Sequence, residues 1–435
     1  MNVKQVAINL ISQVDKGAYS NIALNETFKT LDINSKEKAF ITEIFYGVLR
    51  NKKFLDYIIE RYTKEIKKEW IRNLLRISIY QITFMDSDDK GVVWEATELV
   101  KKKYGMSISK FINGTLRNYL RNKDSELKRL DDEKNYEVLY SIPKWFYDIL
   151  EKQYGDNNLK KAITSLKKIP YLSVRVNKLK YSEEEFEEFL KEKDIQIIKK
   201  VDTVYYVNSG LIIISEEFKT GKIIAQDASS YLAAKNLSVM PNELVLDICA
   251  APGGKTAVLA ENMENNGEII AIDIHQHKIK LIDTNMKKLG IDIVKAIIMD
   301  ARNVNKQGRK FDKILVDVPC SGYGVIRKKP EILYSKNREN VEELAKLQLE
   351  ILNSAADILK DSGKLIYSTC TITDEENTNN IKRFLEERKE FKVEKLYIPE
   401  NVSGDYDSLG GFCINYKEEI MDNFYIIKLK KGEKC

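Results

Sequence analysis

Two cysteines stand where inert core thiols are seldom placed. Cys320 lies in Asp317-Val-Pro-Cys-Ser-Gly322 and Cys370 in Tyr367-Ser-Thr-Cys-Thr371, each at the polar exit of an apolar run. A lone cysteine is ordinarily a small buried hydrophobe. At a polar exit it becomes a nucleophile once its pKa is lowered. A third cysteine, Cys249, falls in Asp247-Ile-Cys-Ala-Ala-Pro-Gly-Gly-Lys-Thr256. There an apolar run passes through small residues to a glycine pair that opens a helix, so a ligand can approach the backbone closely. The loop is not GxGxxG, which disfavours a dinucleotide. It also misses a Walker A loop, because Cys249 occupies the place of the first glycine.

Asp273 closes the next apolar run, and a carboxylate there accepts two ribose hydroxyls. Asp300 closes the third and is suited to an adenine amino group. Together these residues describe a nucleoside cofactor that needs no phosphate site, and S-adenosylmethionine fits. Each aspartate alone reads equally well as a cap at a strand–helix turn. Three carboxylates at successive strand ends, with Asp317 the third of them besides Asp273 and Asp300, weigh against that plainer reading.

These residues need a frame that gathers strand ends. From residue 241 onward apolar runs (ELVLDICA, GEIIAIDI, VKAIIMD, KILVDVP, GKLIYSTC) alternate with helical stretches at 255–264, 275–289, 338–359 and 374–387. This predicts buried parallel strands in a doubly wound, Rossmann-like α/β domain over 241–432. Ligands in such sheets sit at the carboxyl ends of the strands, so Cys320 and Cys370 are expected to open into one crevice. Residues 1–125 read as an all-α bundle. Val3, Val6, Ala7, Leu10 and Val14 recur at helical spacing before Gly17, and Ser35 is placed to cap a helix carrying Phe40, Ile44, Val48 and Leu49. Residues 121–137 are almost all polar, and 126–140 read as a linker with some helical character. Residues 141–240 predict a small α+β subdomain, with YLSVRV and TVYYV as strands around the acidic helix SEEEFEEFLKEK.

Composition excludes other classes. The chain has 435 residues, 31% charged and 43% hydrophobic, with Gly 20 and Pro 7, so it is neither largely disordered nor collagen-like. Five cysteines (249, 320, 370, 413 and 435) with no CxxC spacing argue against a zinc site or a disulfide framework, and the two histidines, His275 and His277, leave little for a metal site or a Ser-His-Asp triad. No apolar run approaches a membrane span, and no signal peptide is read at the N-terminus. A cytoplasmic protein with reduced thiols is expected. The net charge is +5, and residues 1–140 hold all of it, with 25 Lys+Arg against 20 Asp+Glu. A polyanion partner is one reading of that segment and a solvated helical surface the other.

The segments CAAPGGKT, DVPCSG and STCTITDEEN resemble the cofactor loop and the two cysteine motifs of the RNA 5-methylcytosine methyltransferases, and SVRVN at 173–177 and AQDASS at 225–230 are similar as well. GAYSNIALNE, FITEIFYGVLR (40–50), LLRISIYQ and FINGTLRNYL resemble the NusB-type RNA-binding helical domain. A NusB-like domain joined to this catalytic domain resembles the 16S ribosomal RNA cytosine-C5 methyltransferases of the RsmB/NOP family, over nearly the whole chain. The resemblance implies a class I methyltransferase using S-adenosylmethionine, acting as a monomer on 16S rRNA, naked or in an early-assembling small subunit, with no metal and no membrane. It implies a nucleophile at Cys370 and an adduct-release role at Cys320, with Asp317 contacting the cofactor amine or protonating N3 of the base. In DNA methyltransferases the Pro-Cys residue is the nucleophile, so the reverse assignment stays open. The implied cofactor set is Cys249, Ala250, Ala251, Pro252, Gly253, Gly254, Lys255, Asp273, Asp300 and Asp317. RNA contacts are expected at Arg175, Asn177, Lys255, Arg50, Lys101, Lys102 and Lys103, with Tyr323 as a stacking platform. A tRNA cytosine-C5 methyltransferase and a non-catalytic NusB-like RNA-binding or antitermination protein are the alternatives. The family's RxHPxxxW-like segment is here Arg327-Lys-Lys-Pro-Glu-Ile-Leu-Tyr334, without the His and with Tyr for Trp.

Overall fold

A computed structural model describes residues 2–433 and divides into two compact units. Met1, Lys434 and the fifth cysteine, Cys435, lie outside the described residues. The first unit runs to Lys167 and includes the later segment Lys329–Lys336. It is helical: Val3–Asp15, Ser20–Thr30, Ser35–Arg50, Lys52–Tyr62, Glu69–Phe84, Asp89–Tyr104 and Met106–Asp132, followed by Tyr136–Leu139 and by Lys144–Lys167, which kinks at Gly155. Leu10, Ile44, Phe45, Leu74, Ile77 and Leu116 meet in its core, and each aliphatic side chain so buried contributes about 1.5–3 kcal/mol.

Three details depart from the sequence reading. Helix Ser20–Thr30 has too few apolar residues to announce itself, burying only Ser20, Ala23 and Leu24. The cap of the next helix is Asn34, not Ser35. The Asn34 side chain accepts from the Glu37 amide and Glu37 from the Asn34 amide, both at 3.0 Å, a reciprocal pair that Ser35 is one residue too late to make. Residues 126–140 are not an open linker. The long helix continues to Asp132, with Leu130 and Val138 in the core, and buried Glu126 pairs with Arg61 at 2.6 Å and Arg129 at 2.9 Å. Pairing lets a polar sequence pack. The segment Lys329–Lys336 belongs to this unit through Glu331, which accepts from the Ser20 amide and hydroxyl at 3.0 and 2.9 Å, and through Tyr334, whose hydroxyl donates to Ser141 O at 3.0 Å.

The second unit spans Lys168–Lys328 and Asn337 onward. It begins with a small antiparallel sheet: β1 (Leu172–Val176), β2 (Ile197–Val201), β3 (Val204–Val207) and β4 (Ile223–Ala225), in the order β2-β3-β1-β4. Helix Glu183–Glu192 lies between β1 and β2 and buries Phe186, Phe189 and Leu190. The residues 144–167 assigned to this subdomain from sequence are helix of the first unit instead.

The large sheet comprises β5 (Leu244–Ile248), β6 (Glu268–Asp273), β7 (Val294–Ile298), β8 (Phe311–Asp317), β9 (Leu359–Thr369), β10 (Phe391–Glu394), β11 (Asp405–Tyr406), β12 (Phe412–Ile414) and β13 (Phe424–Lys431). The order is β11-β12-β13-β9-β8-β5-β6-β7, with β10 on β13. Strands β5 to β9 pair in parallel, whereas β13 runs antiparallel to β9 and carries the antiparallel β10 and β12. The sheet is thus a doubly wound parallel core with an antiparallel extension. The chain turns from one half to the other between β5 and β8, the place where such sheets open a crevice.

Candidate active site

The β5 exit is built for close approach. Cys249 takes φ +59°, the Ala250 amide bonds Ile272 O at 2.9 Å, and the Gly253 amide bonds Ala250 O at 2.8 Å. Gly253 takes φ +99°, and a Cβ there would stand 2.9 Å from Met286 Cε. Only glycine fits this turn, and helix Gly254–Asn262 starts from it with first-turn amides that have no intrahelical acceptor. Asp247, fully buried near the end of β5, accepts from Thr256 Oγ1 at 2.6 Å through Oδ2, while its Oδ1 has no hydrogen-bond partner. Burial pushes its carboxyl up to about 7; Thr256 and Lys255 pull the other way and Asp317 adds to the rise.

Asp273 ends β6 and is buried, accepting from the His275 amide at 3.2 Å, with Lys278 Nζ at 3.4 Å. Asp300 lies past β7, where it caps the turn at 301–307 and pairs with Arg302 at 2.6 Å; the Arg302 guanidinium holds its carboxyl below the usual range. The capping reading thus describes part of what Asp300 does. The glycine cradle, the helix N-terminus, the unpartnered acceptor of Asp247 and the carboxylate at the end of β6 suit a nucleoside bearing an amino-acid tail.

Cys320 Sγ and Cys370 Sγ lie 3.1 Å apart at the ends of β8 and β9. The Cys320 thiol is pushed far up, first by its hydrogen bond with Cys370, then by burial and by the negative charges of Cys370, Glu376 and Asp317. Asp317 ends β8 and accepts from Lys255 Nζ at 2.7 Å and from Ser368 Oγ at 2.8 Å. Burial alone would depress the Lys255 ammonium, but Asp317, Cys370 and Asp247 more than reverse this and raise it. Lys255 therefore stays charged in its pair with Asp317.

Several residues expected to touch RNA have other work. Arg175 is 1% exposed and donates to Gln226 Oε1 at 2.6 Å and to Glu261, which lies on helix Gly254–Asn262. It braces the cofactor-loop helix from inside. Asn177 is fully buried and donates to Gly221 O at 2.9 Å and Leu289 O at 3.0 Å. Arg50 is buried over the Tyr46 ring, and Tyr323 is buried too, so neither offers a free face. Lys255 faces Asp317 rather than solvent. Lys101, Lys102 and Lys103 are exposed, although Lys103 lies over the Trp70 ring and Lys101 pairs with Glu98. Sequence reasoning did not single out Asp247, Ser368 or Glu376 as site residues. The first two had a signal, since each stands two residues before a chosen cysteine at a strand end; Glu376 lies six residues beyond Cys370, in the quoted segment STCTITDEEN, at the start of the stretch read as helix.

Three family descriptions cover most of the chain: the NusB family over residues 1–121, the ferredoxin-like domain of RsmF/B-like methyltransferases over 142–215, and 16S rRNA methyltransferase RsmB/F over 234–430. The probable ribosomal RNA small subunit methyltransferase B of Bacillus subtilis (strain 168) is 33% identical over 413 residues, covering 92% of this chain and 92% of that protein. The chain belongs to the RsmB/F methyltransferase family. Ribosomal RNA small subunit methyltransferase B of Shewanella oneidensis is similar over 99% of this chain and 100% of its own length, at 31% identity. Among solved structures, PH0851 superposes with a TM-score of 0.84 at 30% identity over 99% of both chains. NSun6 from Pyrococcus horikoshii with SFG shares the fold over 67% of this chain and 99% of its own, at a TM-score of 0.61 and 24% identity. RsmB/F proteins are S-adenosylmethionine-dependent rRNA methyltransferases, and the donor set around the β5 loop accommodates that cofactor. Among the described residues no helix is long and apolar enough to cross a membrane.

Proposed function

We propose that this protein methylates C5 of a cytosine in 16S rRNA, with Cys370 as the nucleophile. The observation that carries the reading is the pair of thiols 3.1 Å apart at the ends of β8 and β9, with the Asp317–Lys255 pair at the end of β8. Cytosine C5 is too weak a nucleophile to act unaided. Addition of the Cys370 thiolate to C6 makes C5 electron-rich, the usual logic of covalent catalysis. S-adenosylmethionine, when bound by the 249–255 loop, Asp273, Asp300 and Asp317, supplies the electrophilic methyl group that C5 takes up. Asp317, fixed by Lys255 and Ser368, is placed to contact the cofactor amine or to stabilise charge at N3. On release the C5 proton passes to water and its electron pair closes the C5–C6 double bond. The C6–S pair returns to Cys370, whose sulfur then accepts the Cys320 S–H. The target base must leave its stack to present C5 and C6. The Lys101–Lys103 run in the helical unit is the exposed part of the proposed RNA surface, and the cytoplasm is the expected compartment.

The test combines labelled-methyl transfer to 16S rRNA, naked and in small-subunit particles, with bisulfite sequencing of cells lacking the gene. A lost 16S cytosine mark supports the reading, and a lost tRNA mark would replace it. Cys370→Ala should abolish turnover, and Cys320→Ala should leave a protein–RNA adduct on a denaturing gel. Turnover surviving Cys370→Ala while Cys320→Ala abolishes it would reverse the assignment.

A further inference from the structure

Glu376 is fully buried, yet its carboxylate accepts four hydrogen bonds. Oε1 takes the Ser321 amide at 2.8 Å and Gln348 Nε2 at 2.8 Å. Oε2 takes Thr373 Oγ1 at 2.7 Å and the Ser321 hydroxyl. The same Gln348 nitrogen donates to Pro319 O at 2.9 Å. The backbone on both sides of Cys320 therefore hangs from Glu376 and its amide partner. Ser321 Oγ also meets Thr371 Oγ1 at 2.7 Å, so one carboxylate ties the loop after β8 to the loop after β9. The Tyr367 hydroxyl in turn fixes the Glu376 carbonyl at 2.6 Å.

A buried carboxylate is heavily penalised unless its lone pairs are used, and an apolar side chain would fill the same space at lower cost. What the carboxylate adds is position. Its four donors come from both cysteine loops and from helix Arg338–Asp357, and they converge one residue from Cys320. Glu376 itself is shielded from any bound base and acts through its neighbours.

We propose that Glu376 is a positioning residue for adduct release: it holds the Cys320 thiol against Cys370 by anchoring the backbone that flanks Cys320. The inference rests on the covalent reading above. Release breaks the C5–H and C6–S bonds together, and a Cys320 thiol out of reach of the departing sulfur leaves the adduct intact. Addition of Cys370 to the ring does not need Cys320, so the two halves of the cycle separate.

The experiment uses the full-length protein with 16S rRNA and compares wild type, Cys320→Ala, Glu376→Ala and Glu376→Gln. It reads three quantities: methyl transfer in a single turnover, the fraction of RNA held covalently on a denaturing gel, and the affinity for S-adenosylmethionine. Glu376→Ala is expected to raise trapped adduct about tenfold, with single-turnover transfer and cofactor affinity changed by less than about threefold. Glu376→Gln keeps an oxygen for the Ser321 and Gln348 N–H groups, and the two hydroxyls can rotate to accept from its amide. It should return close to wild type. Equal slowing of transfer and release in Glu376→Ala with no trapped adduct overturns the proposal, as does a Gln variant no better than Ala. Should Glu376→Ala not fold, Ser321→Ala removes one rung and must trap a smaller share of adduct. Its absence overturns the proposal. If Cys320→Ala traps adduct and Glu376→Ala does not, only this inference falls; if Cys320→Ala traps none, the covalent reading falls first.

Discussion

Asp247 offers a direct test of the electrostatics beneath the cofactor loop. Its carboxylate is sealed from water, one oxygen has a hydroxyl partner and the other has none. Burial lifts the pKa from 3.8 to about 7. An acid raised by folding binds its proton more tightly in the native state. Stability is therefore greatest below the unfolded pKa, falls as pH climbs through the interval, and levels off above about 7. At about 1.4 kcal/mol for each tenfold change in proton affinity, the ionised carboxylate takes about 4 kcal/mol from the folded state. About 2 kcal/mol of this falls between pH 5 and pH 7. Asp247→Asn cannot ionise and loses that dependence, although its amide nitrogen lacks an acceptor and costs about 1–3 kcal/mol at every pH. For a unit of this size, about 2–4 °C of melting temperature accompanies each kcal/mol. The melting temperature of Asp247→Asn relative to wild type should rise by roughly 5–10 °C from pH 5 to pH 8, read by thermal scanning of the cofactor-free protein. Parallel melting curves for the two proteins over that range would show that Asp247 has water or a partner at its free oxygen, and would refute the reasoning.

Two further perturbations probe the scaffold. Gly324→Ala places a Cβ 2.0 Å from Asn423 O and 2.8 Å from Cys370 O, so the Cys370 loop must move; methyl transfer should fall about a hundredfold with cofactor affinity nearly unchanged, and unaltered kinetics would show that the loop tolerates displacement. Arg175→Ala leaves Glu261 as a buried, unpaired charge and should cost about 3–5 kcal/mol of stability by thermal or urea melting. If Arg175 contacted phosphate instead, its removal would reduce the salt dependence of RNA binding by about one charge, whereas burial predicts no change in that slope.

The parallel strands were legible because buried strands write themselves as unbroken apolar runs, and the site was legible because such sheets deliver their strand ends to one crevice. Two thiols 50 positions apart reach one crevice for that reason. Other features were hidden by pairing. Arg175 alternates with Val174 and Val176 as an outward residue would, yet helix Gly254–Asn262 covers that face and Glu261 neutralises it. Residues 126–140 read as solvated because Glu126 and its arginines are charged, though together they pack. The antiparallel direction of β13 depends on a long connection, which no local pattern encodes. Glu376 stood inside the quoted segment STCTITDEEN, but its role was not legible there, because a carboxylate among charged neighbours looks like a surface residue until its donors are seen.

These exceptions share a cause that bears on how the site works. Loop backbone cannot satisfy its own polar groups, and apolar contacts are too permissive to hold two sulfur atoms at a set separation. The loops around the thiols are accordingly fixed by buried polar groups. Arg327 donates to Glu419 O and Met421 O, each at 2.9 Å, and to Glu418 O at 3.1 Å. Asn377 accepts from Thr369 Oγ1 at 2.6 Å and donates to Thr371 O at 3.2 Å, on either side of Cys370. Lys328 bridges Asp227 at 2.8 Å and Asp422 at 2.7 Å, and the two carboxylates outweigh its burial to keep it charged. Asp422 is held up at about 6 by burial and by Asp227. Protonating Asp422 as pH falls through about 6 removes one arm of this bridge while Asp227, held low by Lys328, keeps the other. Because folding raises this acid, its proton is bound more tightly in the native state, so mild acid should leave the loop carrying Asn423, whose carbonyl packs against Gly324, in place; amide exchange in that loop that speeds up between pH 7 and pH 5 beyond the intrinsic rate change would refute this.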